Sequence, residues 1–280
     1  MADPIISVNN ITFNYPPNIT ALNGITFKVM PGERVALLGP NGSGKSTLIL
    51  LIAGLLTPNS GEINVFGEKT TSKNFQKLRP RIGIVFQDPD DQLFNPSVIE
   101  DIEYGPQNLK LPNKTIQTQS TQILKKMNLT HLKNRPPHRL SFGEKKQVAL
   151  ATALVLNPDL LILDEPTANL DLISRRNLID TLNELNKTGT TIIISTHDAE
   201  AIPELADRII VISHGLKLTE GKTRTVLQDN NLLEKSGLEP PTITNLFTEL
   251  GKQGLIKQIP LTLKEGKEEL TNLLKNNPQC

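Results

Sequence analysis

Short runs of branched apolar residues alternate along this chain with longer stretches whose apolar positions recur at helical spacing. Residues 35–38, 82–86, 160–163, 191–194 and 209–212 are compact runs with almost no polar alternation. Such runs predict strands covered on both faces. Helix-length segments at 46–56, 144–156 and 172–187 lie between them. Together they predict a layered α/β domain. Residues 6–29 differ, because apolar and polar positions alternate and Pro16-Pro17 and Asn23-Gly24 interrupt them. That pattern predicts antiparallel strands joined by turns. Beyond residue 222 no strand-like run follows. Ile243, Leu246, Phe247 and Leu250 fall at i, i+3, i+4 and i+7, one face of a helix, after the break at Pro240-Pro241. Leu270, Leu273 and Leu274 suggest another helix. The expected organisation is a main domain at 1–222, with helices between about 88 and 156, and a small C-terminal domain at 223–280.

Composition narrows the function classes. The 280 residues carry 30 Lys+Arg against 29 Asp+Glu, a formal net charge of +1, which gives no case for nucleic acid held by a basic field. Apolar residues make up 37%, with 18 Gly and 20 Pro, which excludes a disordered or collagen-like chain. A single cysteine, Cys280, excludes an internal disulfide framework and suits a reducing compartment. The most apolar stretch, residues 48–56, falls short of the ~18 residues a membrane span needs. The first residues, Met1-Ala2-Asp3-Pro4, lack the basic start and apolar core of a signal peptide. A soluble chain is expected, with any membrane role passing through a partner.

Candidate chemistry centres on Gly39-Pro40-Asn41-Gly42-Ser43-Gly44-Lys45-Ser46-Thr47, which fits G-x-x-x-x-G-K-[ST] between a predicted strand and a predicted helix. Its glycines let the backbone turn several N–H groups toward one anion. The helix start adds its positive dipole. Lys45 offers a full charge to the β- and γ-phosphates of a nucleotide, and the Ser46 hydroxyl can ligate Mg²⁺. A second signal is the apolar run 160–163 ending in Asp164-Glu165. Asp164 is placed to hold Mg²⁺, and Glu165 to polarise a water attacking the γ-phosphate. Ser141-x-x-Glu144 ahead of a helical run is a capping box, which marks a helix start and hence a second anion-binding end.

Taken in order, these motifs resemble the ATP-binding subunits of ABC transporters, over residues 6 to about 222. The resemblance implies an α/β fold of the P-loop nucleotide-binding kind: a mixed sheet core, an antiparallel N-terminal β subdomain, a helical subdomain and a small C-terminal appendage. It implies ATP hydrolysis coupled to transmembrane transport, with ATP and Mg²⁺ as cofactors. It puts the Tyr15 ring on adenine and makes Gln87 a reader of Mg²⁺ and the attacking water. His197 becomes a switch contacting the γ-phosphate, so the catalytic set is Glu165, His197 and Gln87, with Mg²⁺ held by Ser46, Gln87 and Asp164. Residues 140–144 match the signature motif, and 168–171 the D-loop. In a head-to-tail dimer Ser141, Gly143, Glu144 and Asp171 would meet ATP held by the other subunit. Spacing fits the family, with Ser141 23 residues before Asp164 and His197 33 after it. Two departures stand out: Phe142 replaces a glycine of the signature, and Gln147 stands where arginine is common. Altered or slower hydrolysis is expected from them, not its loss.

A narrower match is to the energy-coupling factor group of importers. It rests on residues 86–94, 98–102 and 105–108, and on a tail, Ser236-Gly-Leu-Glu-Pro-Pro241-x-Ile243-x-x-Leu246, resembling that group's extra dimer contact. Within the group, residues 87–94 are most like the cobalt/nickel branch, with vitamin-importing branches close by. Asp88, Asp90 and Asp91 fall in the loop that faces the membrane partner in that family. The resemblance thus implies a peripheral subunit on the cytoplasmic face of the cell membrane. Its partners would be a second copy or a related ATPase, a transmembrane coupling subunit and a small substrate-capture membrane protein, without nucleic acid. The rival from another class is a soluble ATP-gated clamp, but such proteins usually pair two nucleotide domains or insert a long coiled coil.

Overall fold

The unbroken apolar runs become the interior of one sheet. A computed structural model describes residues 3–254, 256 and 258–276. Cys280 lies outside the described residues. The central sheet contains β3 (Arg34–Leu38), β6 (Ile82–Val85), β7 (Leu160–Asp164), β8 (Thr191–Thr196), β9 (Arg208–Ser213) and β10 (Leu216–Lys222). Their order is β10-β9-β3-β8-β7-β6, parallel except for the antiparallel β9–β10 edge pair. Every residue of β7 and β8 is buried, which is why their sequences show no alternation. A second, antiparallel sheet, ordered β2-β1-β4-β5, comprises β1 (Ile6–Tyr15), β2 (Ile19–Val29), β4 (Ser60–Val65) and β5 (Glu68–Lys69).

Asn23-Gly24 is not the turn that its dipeptide predicts. β2 runs through it, and the register against β1 shifts between Ile11 and Phe13. Gly24, at φ +73°, absorbs the extra residue as a bulge. Asn23 N–H is thereby free to donate to Gly215 O, at 2.8 Å, tying the two sheets together.

Eleven helices are assigned among the described residues. α1 (Lys45–Ile52) follows β3 and ends earlier than predicted, because Gly54 turns left-handed at φ +65° just past its cap. α2 (Ser72–Leu78) leads to β6. α3 (Val98–Asn108), α4 (Asn113–Lys126) and α5 (Phe142–Leu154) lie between β6 and β7. α6 (Leu172–Lys187) spans the predicted 172–187. α7 (Ile202–Leu205), α8 (Thr223–Leu227), α9 (Asn230–Lys235), α10 (Thr242–Lys252) and α11 (Leu263–Asn276) complete the chain.

Three apolar clusters hold these layers. α1 buries Leu48, Ile49, Leu51 and Ile52 between the two sheets. Val98, Ile102, Val148 and Leu182 from α3, α5 and α6 cover β7 and β8 on the other face. Val226, Leu233, Leu238 and Leu261 pack on Leu38, Ile209 and Val211, so the segment after β10 shares a core with the central sheet. Among the described residues, no helix is long and apolar enough to cross a membrane.

Candidate functional site

The carboxyl ends of β3, β6, β7 and β8 point one way, and in open α/β sheets such ends gather ligands. The loop 39–44 leaves β3 there and opens α1. Gly39 has no room for a side chain, since a Cβ would lie 2.0 Å from Ile212 O. Gly44 turns left-handed at φ +104°, and its Cβ would meet Ala21 O at 2.6 Å. We expect Gly39→Ala to destabilise the chain by about 1–3 kcal/mol, because the overlap is with backbone. A thermal melt matching the unsubstituted chain would show that the loop tolerates the Cβ.

Lys45 is 5% exposed. Its ammonium donates to Gly39 O at 2.8 Å and Pro40 O at 3.0 Å, and lies 3.8 Å from Glu165 Oε1. Burial pushes its pKa down, while the Glu165 and Asp164 carboxylates pull it up. In the same cradle the Ser43 hydroxyl is buried and has no hydrogen-bond partner among the described residues. A turn of backbone N–H groups, a buried ammonium and an orphaned hydroxyl suit a polyphosphate. Tyr15 holds its hydroxyl 3.2 Å from Thr47 Oγ1 and packs edge-on against Phe13, leaving its ring partly exposed beside α1.

Register brings the acids to this loop. Asp164 pairs with Ser195 across β7 and β8, and Ser195 Oγ donates to Asp164 Oδ1. Glu165, one residue past the strand, adopts φ +45°, which non-glycine residues rarely take. Its N–H donates to Ser195 O at 3.1 Å and Ser195 Oγ at 3.2 Å. Its carboxylate lies 2.9 Å from His197 Nδ1, just beyond β8. Lys45, Asp164, Glu165 and His197 therefore form one connected set. Gln87 is exposed, two residues past the end of β6, the neighbour of β7. The oxygen donors Ser46, Gln87 and Asp164 have the hard chemistry of a magnesium site, which keeps waters and shares substrate phosphates.

Ser141, Gly143, Glu144 and Asp171 form a separate group. Ser141 caps α5 reciprocally: Glu144 N–H donates to Ser141 Oγ at 3.3 Å, and Ser141 N–H to Glu144 Oε2 at 2.7 Å. These bonds from Ser141 hold the Glu144 carboxyl below its usual range. Asp171 caps α6 by accepting from the Ile173 and Ser174 N–H groups, and its pKa is held down by the Ser174 N–H and hydroxyl. A Cβ on Gly143 would come within 2.9 Å of Ser174 Oγ, so the starts of α5 and α6 abut. Ser141→Ala is expected to lower stability by about 1 kcal/mol through loss of the cap. An unchanged chemical-denaturation midpoint would show that the cap contributes nothing.

Two residues of this site escape sequence reasoning. Ser195 looks like the polar end of an apolar strand, and only the register sets it opposite Asp164. Lys146 looks like one charge of a polar pair after the capping box, yet it is buried, with its ammonium 3.0 Å from Glu165 O.

Comparison with known proteins gives concordant results. The family model described as "ABC transporter" matches residues 22–168. The energy-coupling factor transporter ATP-binding protein EcfA of Methanothermobacter thermautotrophicus is 40% identical over 96% of this chain and 88% of its own length. The structure of cbiO1 from Clostridium perfringens, described as part of the ABC transporter complex cbiONQ, aligns with a TM-score of 0.74 and 39% identity. That alignment covers 91% of this chain and all of the other. The ATP-binding cassette MJ0796, solved as a dimer in a post-hydrolysis state with ADP and Pi, aligns with a TM-score of 0.71 and 30% identity, over 78% of this chain and 99% of the cassette.

Proposed function

Because this chain belongs to the ABC transporter family, as an ATPase whose hydrolysis is coupled to transport, we propose that it is the ATP-hydrolysing subunit of an energy-coupling factor importer. The observation that carries the reading is the connected set Lys45, Glu165 and His197 at the mouth of the glycine loop. Lys45 and the loop N–H groups bind the phosphates, and Tyr15 lies against the adenine. Ser46, Gln87 and Asp164 would hold Mg²⁺, which would supply charge neutralisation of the phosphates. Glu165 takes the proton of the attacking water, with its carboxylate oriented by His197. The reaction needs little more than positioning and charge stabilisation.

Two ATP-binding chains close head to tail in this reading, so that Ser141, Gly143, Glu144 and Asp171 of one meet the nucleotide of the other. The abutting starts of α5 and α6 support this, since they bring the capped Ser141 and Asp171 ends of the two helices side by side. The chain is peripheral, held at the cytoplasmic face of the membrane by a transmembrane coupling subunit and serving a small substrate-capture protein. The tail after residue 222 adds a dimer contact. Likeness to the EcfA protein supports the energy-coupling factor transporter class. The similarity of residues 87–94 to the cobalt/nickel branch supports a cobalt or nickel ion as cargo.

Mild-detergent capture of the tagged chain from its native membrane, with mass spectrometry of its companions, tests the proposal. It predicts an integral coupling protein and a small capture protein, whose identity separates metal from vitamin. Recovery of ribosomes or nucleic acid, with no membrane protein, would favour an ATP-gated clamp.

A further inference from the structure

Lys146 is a buried charge that the proposed reaction leaves unused. It lies on α5, one turn past Phe142, the residue that departs from the family's signature. Its ammonium is 5.8 Å from the centre of the Phe142 ring on one side and donates to Glu165 O on the other. Burial lowers its pKa, and the Asp164, Glu165 and Asp88 carboxylates oppose that shift. A methionine would fill the same channel without the cost of burying a charge. The ammonium therefore calls for a reason beyond packing.

That reason is the backbone of Glu165. Its left-handed conformation is disfavoured for a residue with a Cβ, and it persists only where surrounding bonds over-determine it. Ser195 fixes the N–H of Glu165 from β8. On the carbonyl side the Ala168 N–H approaches to 3.2 Å, and Lys146 supplies the charged donor. Beside this bond a cleft of about 320 Å³ is lined by Gly143, Gln147, Leu163, Pro166, Leu170 and Ser174. Packing does not seal that junction, and the ammonium bridges it. The preceding residue, Lys145, turns the other way and clasps Asp90 at 2.6 Å, in the acidic turn after Gln87. Consecutive lysines thus tie one helix to the acidic turn and to the peptide that aims Glu165.

We propose that Lys146 is a positioning residue for ATP hydrolysis: from the helix bearing Ser141 and Glu144, it holds the main chain of Glu165 so that the carboxylate faces the attacking water. The proposal rests on Glu165 being the base. Displacement of α5 when a second chain engages would move this bond, so closure at one nucleotide would be felt at the carboxylate serving the other.

The test uses the full chain purified with its partners. Phosphate release is measured across ATP concentrations, ATP affinity by fluorescence titration, and Tm by melting, for Lys146→Met and Lys146→Arg. In Lys146→Met, kcat falls roughly tenfold, the scale of a sub-ångström misplacement of a reacting group. KM and ATP affinity hold within about twofold, and Tm is unchanged or higher. Lys146→Arg, which keeps a charged donor, recovers most of kcat. In a Glu165→Gln background, Lys146→Met causes no further loss. An unchanged kcat in Lys146→Met, a loss that merely tracks a lower Tm, or a further fall in the double variant would overturn the proposal. Glu165→Gln by itself separates the two ideas. Full turnover there removes the base and this proposal together, whereas lost turnover with a fully active Lys146→Met removes only the positioning role.

Discussion

Glu165→Gln is expected to bind ATP normally and to release phosphate at least about a hundredfold more slowly, the lower end of what a positioned general base contributes. The amide is isosteric with the carboxylate and can still pair with His197 Nδ1, which lies 2.9 Å from Oε1. Backbone bonds to Ser195 and Lys146 do not involve the side chain and remain. The substitution thus removes the proton acceptor and a negative charge 3.8 Å from Lys45, and little else. Losing that charge beside the phosphates leaves ATP binding intact or strengthened. The nucleotide then stays unhydrolysed, and the closed pair of chains persists. Steady-state phosphate release beside an ATP titration checks both halves. Full turnover would mean that another group accepts the proton.

Lys45→Ala acts on the opposite side of the same set. The ammonium is almost wholly buried, 2.8 Å from Gly39 O, and two carboxylates act on it. In the nucleotide complex this ammonium would face the phosphates, and truncating one side of a buried, hydrogen-bonded charge pair across an interface costs roughly 2–5 kcal/mol. At about 3 kcal/mol, ATP binding weakens by about a hundredfold. The loop should survive, because Gly39 and Gly44 are fitted against Ile212 O and Ala21 O rather than against Lys45. Calorimetric titration giving unchanged affinity would contradict the cradle.

The central sheet was readable because strands such as β7 and β8 are buried at every position, which leaves an unbroken apolar signature. The loop from Gly39 to Lys45 was readable as a strand-to-helix connection because its motif places those residue types at fixed spacing between a strand and a helix, where β3 and α1 lie. Asn23-Gly24 misled because a left-handed glycine serves a bulge as well as a turn, and only pairing with β1 and Gly215 decides between them. Ser195 and Lys146 were illegible for a related reason. Each acquires meaning from a partner 31 or 19 residues away, set by strand register and helix placement rather than by local pattern. The left-handed backbone of Glu165 has no mark in the sequence at all, since glutamate does not favour it.

The proposed cycle encloses two nucleotides between two ATP-binding chains, each completed by the other's capped helix. Native mass spectrometry of the Glu165→Gln complex, extracted from its membrane in ATP and magnesium, measures this directly. The predicted particle holds two ATP-binding chains, either two copies or one copy with a related cassette, and two trapped ATP molecules alongside its membrane subunits. A particle with one ATP-binding chain and one nucleotide would contradict it.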